Sequence, residues 1–185
     1  MSVLAALGWI LTGGQLLRAG IWAALAAGAL TYTVSEYGFH RYLFHLKPPR
    51  HPRLHALLRR LHYQHHAEPD DLAFILLPVW YSLPLMAGVT GLVYGLTGDP
   101  SVTAAFFTGT STYLLYYEWT HYAAHRPLIP WTPWGRRMKK LHLLHHYQNE
   151  HHWFGVTNTV YDRMLGTLPP PREAGKSPTV RNLES

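Results

Sequence analysis

Residues 72–117 read LAFILLPVWYSLPLMAGVTGLVYGLTGDPSVTAAFFTGTSTYLLYY, and the only charge among them is Asp99. A helix needs about 20 apolar residues to cross the hydrocarbon core of a bilayer. Two uncharged runs on either side of Gly98-Asp99-Pro100 therefore predict a tight helical hairpin across a membrane. Pro78 and Pro84 lie inside the first run, and membrane helices tolerate proline better than soluble ones do.

Working outward, residues 19–35 are also free of charge, and so are residues 1–17. The first of these stretches is interrupted by Gly13 and Gly14, so it reads as a passage or a re-entrant segment. It lacks the basic start of a cleaved secretory signal. The expectation is an all-α integral membrane protein with about four transmembrane helices in two hairpins. The composition agrees, with 48% hydrophobic and only 14% charged residues in a chain of 185. A single membrane domain over residues 1–168 is expected, followed by a loosely ordered polar tail over residues 169–185.

The basic residues set the orientation. Of the 16 Lys and Arg, all but Arg18 fall in residues 41–60 or 126–181, and basic loops stay on the cytoplasmic side. Two hairpins bring both segments to that face, where short helices from residues 47–70 and 131–165 would form a cap. Basic segments beside anionic headgroups account for the positive charge, so no nucleic-acid partner is expected. The chain has no cysteine, which removes disulfides and thiolate ligands from consideration.

Fourteen residues are histidine, and ten of them cluster at the predicted cytoplasmic helix ends: His40 and His45; His62, His65 and His66; His121 and His125; His142, His145 and His146. Imidazole suits borderline metals. On a helix, positions i and i+4 share a face, while adjacent residues diverge by about 100°. His65 and His66 can thus face different ions, as can His145 and His146. His40 and His45 stand five apart and diverge on an ideal helix, which predicts that the helix ends or distorts near His45. Two metal ions, each with several imidazoles, fit this count.

The boxes Glu36-Tyr-Gly-Phe-His-Arg-Tyr-Leu-Phe-His45, Leu61-His-Tyr-Gln-His-His66, Glu118-Trp-Thr-His-Tyr-Ala-Ala-His125, Lys140-Leu-His-Leu-Leu-His-His146 and Trp153-Phe-Gly-Val-Thr157, followed by Asp162 and Leu165-Gly-Thr167, strongly resemble the fatty acid hydroxylase (sterol desaturase) superfamily. Within it the match is closest to fatty acid 2-hydroxylases. The resemblance implies a membrane oxygenase with two metal ions, molecular oxygen and two electrons, hydroxylating C2 of a fatty acyl chain. It implies one ion held by His40, His45, His62, His66 and His145, and the other by His65, His121, His125, His142 and His146, with no catalytic residue beyond these ligands. Iron is the expected active metal. Zinc has no redox chemistry and would hold the geometry without activating oxygen.

Eukaryotic relatives often carry an N-terminal cytochrome b5 domain. None fits ahead of residue 17, so a separate electron donor of cytochrome b5, ferredoxin or reductase type is expected. The Ala- and Arg-rich composition suggests a bacterial inner membrane. Two other readings stand beside this one. The same oxidant could hydroxylate or desaturate a sterol, carotenoid or alkyl lipid, or the histidines could belong to a membrane metal-binding or transport protein.

Among the other residues, Glu36 and Glu118 near helix ends could accept an N–H from a ligand histidine or form salt bridges with Arg41 or Arg126. His151 and His152 are candidates for the same orienting role, with packing favoured. His51 and His55 read as solvated or headgroup-facing, and Asn149 and Asp162 as capping or packing groups. Trp80, Tyr81, Tyr113, Tyr116, Tyr117 and Trp119 read as an interfacial belt.

Overall fold

The structure is a computed structural model that describes residues 18–185. The candidate first passage over residues 1–17 lies outside the described residues. The elements in chain order are α1 (Ala19–Gly38), a π-helical turn (Phe39–Phe44), α2 (Pro52–Leu58), a second π-helical turn (Arg59–Tyr63), α3 (Gln64–Ala67), α4 (Leu72–Ile75), α5 (Val79–Thr97), α6 (Pro100–His125), α7 (Pro133–Tyr147) and α8 (Val160–Met164). No strand occurs among the described residues.

The chain divides into two compact units. Among the described residues the first comprises residues 18–33 and Val79–Leu115. Its packing rests on small residues, which let helix backbones approach closely. A Cβ on Gly28 would stand 2.1 Å from the Phe106 carbonyl oxygen, and one on Gly109 would stand 2.0 Å from that of Leu25. Glycine at both positions lets the α1 and α6 backbones touch. Ile21, Ala24, Ala105 and Phe106 form the buried cluster at this crossing, with Val93 of α5 packed against it. Thr110 Oγ donates to the carbonyls of Phe106 (3.0 Å) and Gly28 (3.3 Å).

The predicted hairpin turn is present. Gly98 ends α5 at φ +61°, and Asp99 starts α6 by accepting from the Ser101 amide at 2.8 Å, with Pro100 as the first helical residue, where its missing N–H does no harm. Arg18 pairs with Asp99 at 2.6 Å.

Leu72–Thr97 is long and apolar enough to cross a membrane, and only 11% of its most apolar window is buried, where a soluble core helix would be mostly buried. The run is not one continuous helix. Pro78 disfavours helical backbone at Leu77, the residue before it; the chain is already extended at Leu76, and α5 begins at Val79. The 19 residues of α5 still rise about 28 Å at ~1.5 Å each.

The second unit comprises Val34–Pro78 and Tyr116–Ser185 and holds every boxed histidine. Thr132 caps α7 by accepting from the Gly135 amide at 3.0 Å. Lys139 donates to the carbonyls of Ala123, Arg126 and Leu128, at 3.0, 2.6 and 2.9 Å, which satisfies the orphan acceptors where α6 ends. The loop over residues 153–157 is fastened by two carboxylates. Asp162 accepts from the amides of Phe154 (2.9 Å) and Gly155 (2.8 Å) and from Thr167 Oγ (2.7 Å). Glu36 accepts from the amides of Val156 (2.7 Å) and Thr157 (2.8 Å) and from Thr157 Oγ (2.5 Å).

The tail over residues 169–185 is not loosely ordered, contrary to expectation. Composition hid this because its fastening is polar. Ser177 and Thr179 donate to the buried carboxylate of Glu150. Gln148 donates to the Pro171 and Gly175 carbonyls, Asn149 to that of Ala174, and Arg181 to that of Ala67. Val180 is 4% exposed.

Candidate metal centre

The ten boxed histidines gather in two groups. His40, His45, His62, His66 and His145 form one, and His65, His121, His125, His142 and His146 the other. Within each group one ring nitrogen from each histidine lies within 4.8 Å of those of the other four. That span is close to the ~4.2 Å across an ion whose imidazole ligands stand about 2.1 Å away. All ten are buried except His45, which is half-buried. The groups adjoin: the His66 and His146 rings stack at 4.1 Å between centroids.

Local helix geometry produces the division. His62 and His66, i and i+4, serve one group while His65 turns to the other; His142 and His146 serve the second while His145 turns to the first. His121 and His125 share a face of α6. The helix distorts where the spacing of His40 and His45 requires it: the π-helical turn Phe39–Phe44 widens the backbone and ends at His45. A second widened turn at Arg59–Tyr63 carries His62. Single-turn π-bulges of this kind recur at functional sites.

Backbone carbonyls orient the first group. His40 Nδ1 donates to the Phe154 carbonyl at 2.5 Å, His66 Nδ1 to that of Val180 at 2.9 Å, and His145 Nδ1 to that of His152 at 2.7 Å. A carbonyl only accepts, so each of these rings carries its proton on Nδ1 and leaves Nε2 bare. His40 Nε2 and His66 Nε2 are buried without a hydrogen-bond partner. His145 Nε2, bare for the same reason, lies 3.1 Å from His45 Nε2, which itself lies 2.9 Å from His62 Nε2. Three bare lone pairs thus converge in one buried pocket, an arrangement that a positive ion relieves.

In the second group His121 Nε2 meets His65 Nε2 at 2.9 Å, His125 Nε2 meets His142 Nε2 at 2.9 Å, and both nitrogens of His146 are buried without partners. The donor set therefore fits metal. Burial pushes the imidazoles toward their neutral, ligating form: His40 down to about 4 and His66 down to about 3. His62, His65, His142, His145 and His146 are held well below the ordinary histidine value by the same desolvation.

The remaining candidates take different roles. Glu36 touches no histidine and makes no salt bridge with Arg41 or Arg126 among the described residues; it holds the loop that delivers the Phe154 carbonyl to His40. Glu118 accepts from the Leu77 amide at 3.1 Å. His151 is exposed and lies 3.4 Å from Glu150. His152 contributes through its backbone carbonyl. Asn149 and Asp162 fasten loops, as expected. His55 pairs with Glu184 at 2.8 Å. Tyr117 is buried against the His121 ring at 5.7 Å, so it is not a belt residue, whereas Trp80 is 57% exposed. Tyr116 and Trp119 line an apolar cleft of about 730 Å³ with Leu128, Ile129, Trp131 and Trp134. The carbonyls of Phe154, His152 and Val180 had no side-chain signature. The one available sign was Gly155, where a Cβ would stand 1.9 Å from the Asn158 carbonyl oxygen.

Two adjoining pockets of buried imidazoles, on a frame that is helical throughout the described elements, form a histidine-rich site that could hold metal. The chain belongs to the fatty acid hydroxylase family, whose model matches residues 25–167. It is 31% identical over 161 residues to a dihydroceramide fatty acyl 2-hydroxylase of Arabidopsis thaliana, covering 82% of this chain and 63% of that one. It is 35% identical over 146 residues to a ceramide very long chain fatty acid hydroxylase of Saccharomyces cerevisiae, covering 78% and 37%. Against the structure of full-length scs7p, in which only the hydroxylase domain is visible, the TM-score is 0.80 at 32% identity, covering 95% of this chain and 65% of that one. The chain thus spans less than two thirds of the length of these relatives.

Proposed function

We propose that this chain is a membrane oxygenase that hydroxylates a lipid, at C2 of a fatty acyl chain, using two iron ions held by the two histidine groups. The observation that carries the reading is the convergence of bare, buried imidazole nitrogens in two adjoining groups on a chain of this family. The overall balance is R–H + O2 + 2 e⁻ + 2 H⁺ giving R–OH + H2O. The electrons come from a separate carrier protein of cytochrome b5, ferredoxin or reductase type. Bound iron supplies the redox chemistry that activates oxygen.

The chain's own residues hold the site in place. His40, His45, His62, His66 and His145 hold one ion and His65, His121, His125, His142 and His146 the other. The carbonyls of Phe154, Val180 and His152 set ring orientation and raise ligand basicity. Dense packing around the imidazoles excludes water, which protects an oxidising site from side reactions. The lipid enters from the bilayer, and its acyl chain takes the apolar surfaces. Four membrane passages in two hairpins place the basic segments and the histidines on the cytoplasmic face of a bacterial inner membrane. Residues 1–168 make up the single hydroxylase domain, with residues 169–185 laid over it. The metal-carrier alternative requires ligands strung along a path through the membrane, whereas all ten gather in one unit.

The test is mass spectrometry of total lipids from cells expressing the chain or its His121→Ala variant, with iron, air and a co-expressed reductase system. Lipids heavier by one oxygen, seen with the parent alone and fragmenting at C2, are expected. Products lighter by two hydrogens would make it a desaturase, and identical lipids together with readily exchanging metal would support the carrier.

A further inference from the structure

We infer that the tail over residues 169–185 is part of the metal centre: it positions His66 for the first ion. This rests on the proposed metal-binding role of the two histidine groups. The match to the family ends at residue 167, yet the carbonyl that takes the His66 Nδ1 proton belongs to Val180, at 2.9 Å. Without that acceptor the buried ring has no partner for its Nδ1–H and no reason to keep Nε2 bare. His66 would then be free to present the wrong tautomer or rotate. Outer partners of this kind change metal affinity by about 10–100-fold in other sites.

The tail is built to hold that one carbonyl in register. Val180 is buried. One residue on, Arg181 donates to the Ala67 carbonyl at 2.7 Å, next to His66 in sequence, and lies over the Tyr147 ring at 5.1 Å. One residue before, Thr179 donates to Glu150, as does Ser177 at 2.8 Å. The Ser177 amide donates to the Gln148 carbonyl at 2.8 Å. Beyond it, Glu184 pairs with His55 at 2.8 Å and Arg59 at 3.6 Å. The tail therefore joins the segment carrying His62 and His66 to the end of α7, which carries His145. Two helical segments that carry the first ligand group are clamped by residues outside the histidine boxes. Among the described residues no carbonyl of the tail is hydrogen-bonded to a histidine of the second group, so the effect falls first on one ion.

The experiment uses the purified full chain in detergent, stripped of metal and titrated with Zn²⁺ alone against a competing chelator, which reads binding without turnover. Two Zn²⁺ per chain are expected for the parent. Val180→Asp puts a carboxylate in a buried apolar position and expels the carbonyl locally. It should weaken one of the two equivalents about 10–100-fold and leave the other unchanged, with helical circular dichroism intact. Val180→Ile keeps the packing and should retain both affinities. Arg181→Ala, a milder release of the same segment, should weaken the same equivalent by a smaller factor and keeps the inference falsifiable if Val180→Asp does not fold. Unchanged affinities in Val180→Asp and Arg181→Ala would overturn the inference, as would equal weakening of both equivalents. A parent chain that binds no Zn²⁺ would overturn the metal-centre reading itself, and this inference with it.

Discussion

Asp162 gives the sharpest test of how the metal centre is supported. Its carboxylate is fully buried and accepts the amides of Phe154 and Gly155 at 2.9 and 2.8 Å. Substitution by alanine leaves both N–H groups buried without acceptors, and each orphaned donor costs roughly 1–3 kcal/mol. Taking about 1.5 kcal/mol for each gives about 3 kcal/mol. A kcal/mol shifts Tm by about 2–4 °C in a chain of this size, so Asp162→Ala should lower Tm in detergent by roughly 6–12 °C. Asp162→Asn separates the two bonds: one oxygen still accepts from Phe154, while the new NH2 opposes the Gly155 N–H, so about half the loss is expected. The loop carries the acceptor for His40 Nδ1, so Zn²⁺ affinity at one equivalent should fall with Tm. A Tm within about 1 °C of the parent in Asp162→Ala would refute the assignment of this carboxylate as the loop's fastening.

The remaining predictions concern packing, protonation and exposure. Gly109→Ala places a methyl group 2.0 Å from the Leu25 carbonyl oxygen, so the α1–α6 crossing must separate, and Tm should drop by several degrees while Gly88→Ala, which meets nothing within 4 Å, stays close to the parent. The folded-state values of His40 and His66, lowered to about 4 and about 3, mean that the unfolded chain binds more protons below an ordinary value of ~6.5. Stability is therefore full above about pH 6.5 and falls as pH drops toward 4, and bound Zn²⁺ should be released over the same range, followed by a metal indicator. His151→Ala should leave metal stoichiometry unchanged because that ring is exposed, whereas His145→Ala should remove one equivalent.

Legibility in the sequence followed the length scale of the signal. The histidine spacings act over one or two helical turns, so the forked triplets and the distortion at His45 could be read from residue order. The hairpin turn was legible because Gly98-Asp99-Pro100 combines a left-handed turn, an N-cap and a first-turn proline. The second widened turn at Arg59–Tyr63 was not, since His62, His65 and His66 are compatible with a regular helix. Glu36 misled for a similar reason. A carboxylate four residues before His40 is well placed to touch it on a helix, but its partners lie some 120 residues away in sequence. The acceptors for His40, His66 and His145 are backbone carbonyls, which every residue has, so no pattern of side chains marks them. The order of the tail was hidden because its polar residues meet polar groups of the last helix turn instead of an apolar core.

The widened turn between His40 and His45 has a consequence for how this chain can be altered. Deleting one residue between those two histidines would let an ordinary helix re-form there with the two rings four apart and still facing the same way, whereas inserting one would turn His45 and everything beyond it by about 100°. Point substitutions at Arg41, Tyr42 or Leu43 change only what lies around the turn. Engineering of this segment should therefore tolerate changes of letter far better than insertions, so libraries built on this chain should vary Tyr42 and Leu43, keep Arg41, which donates to Tyr37 and lies over the Phe154 ring, and add no residue between the histidines.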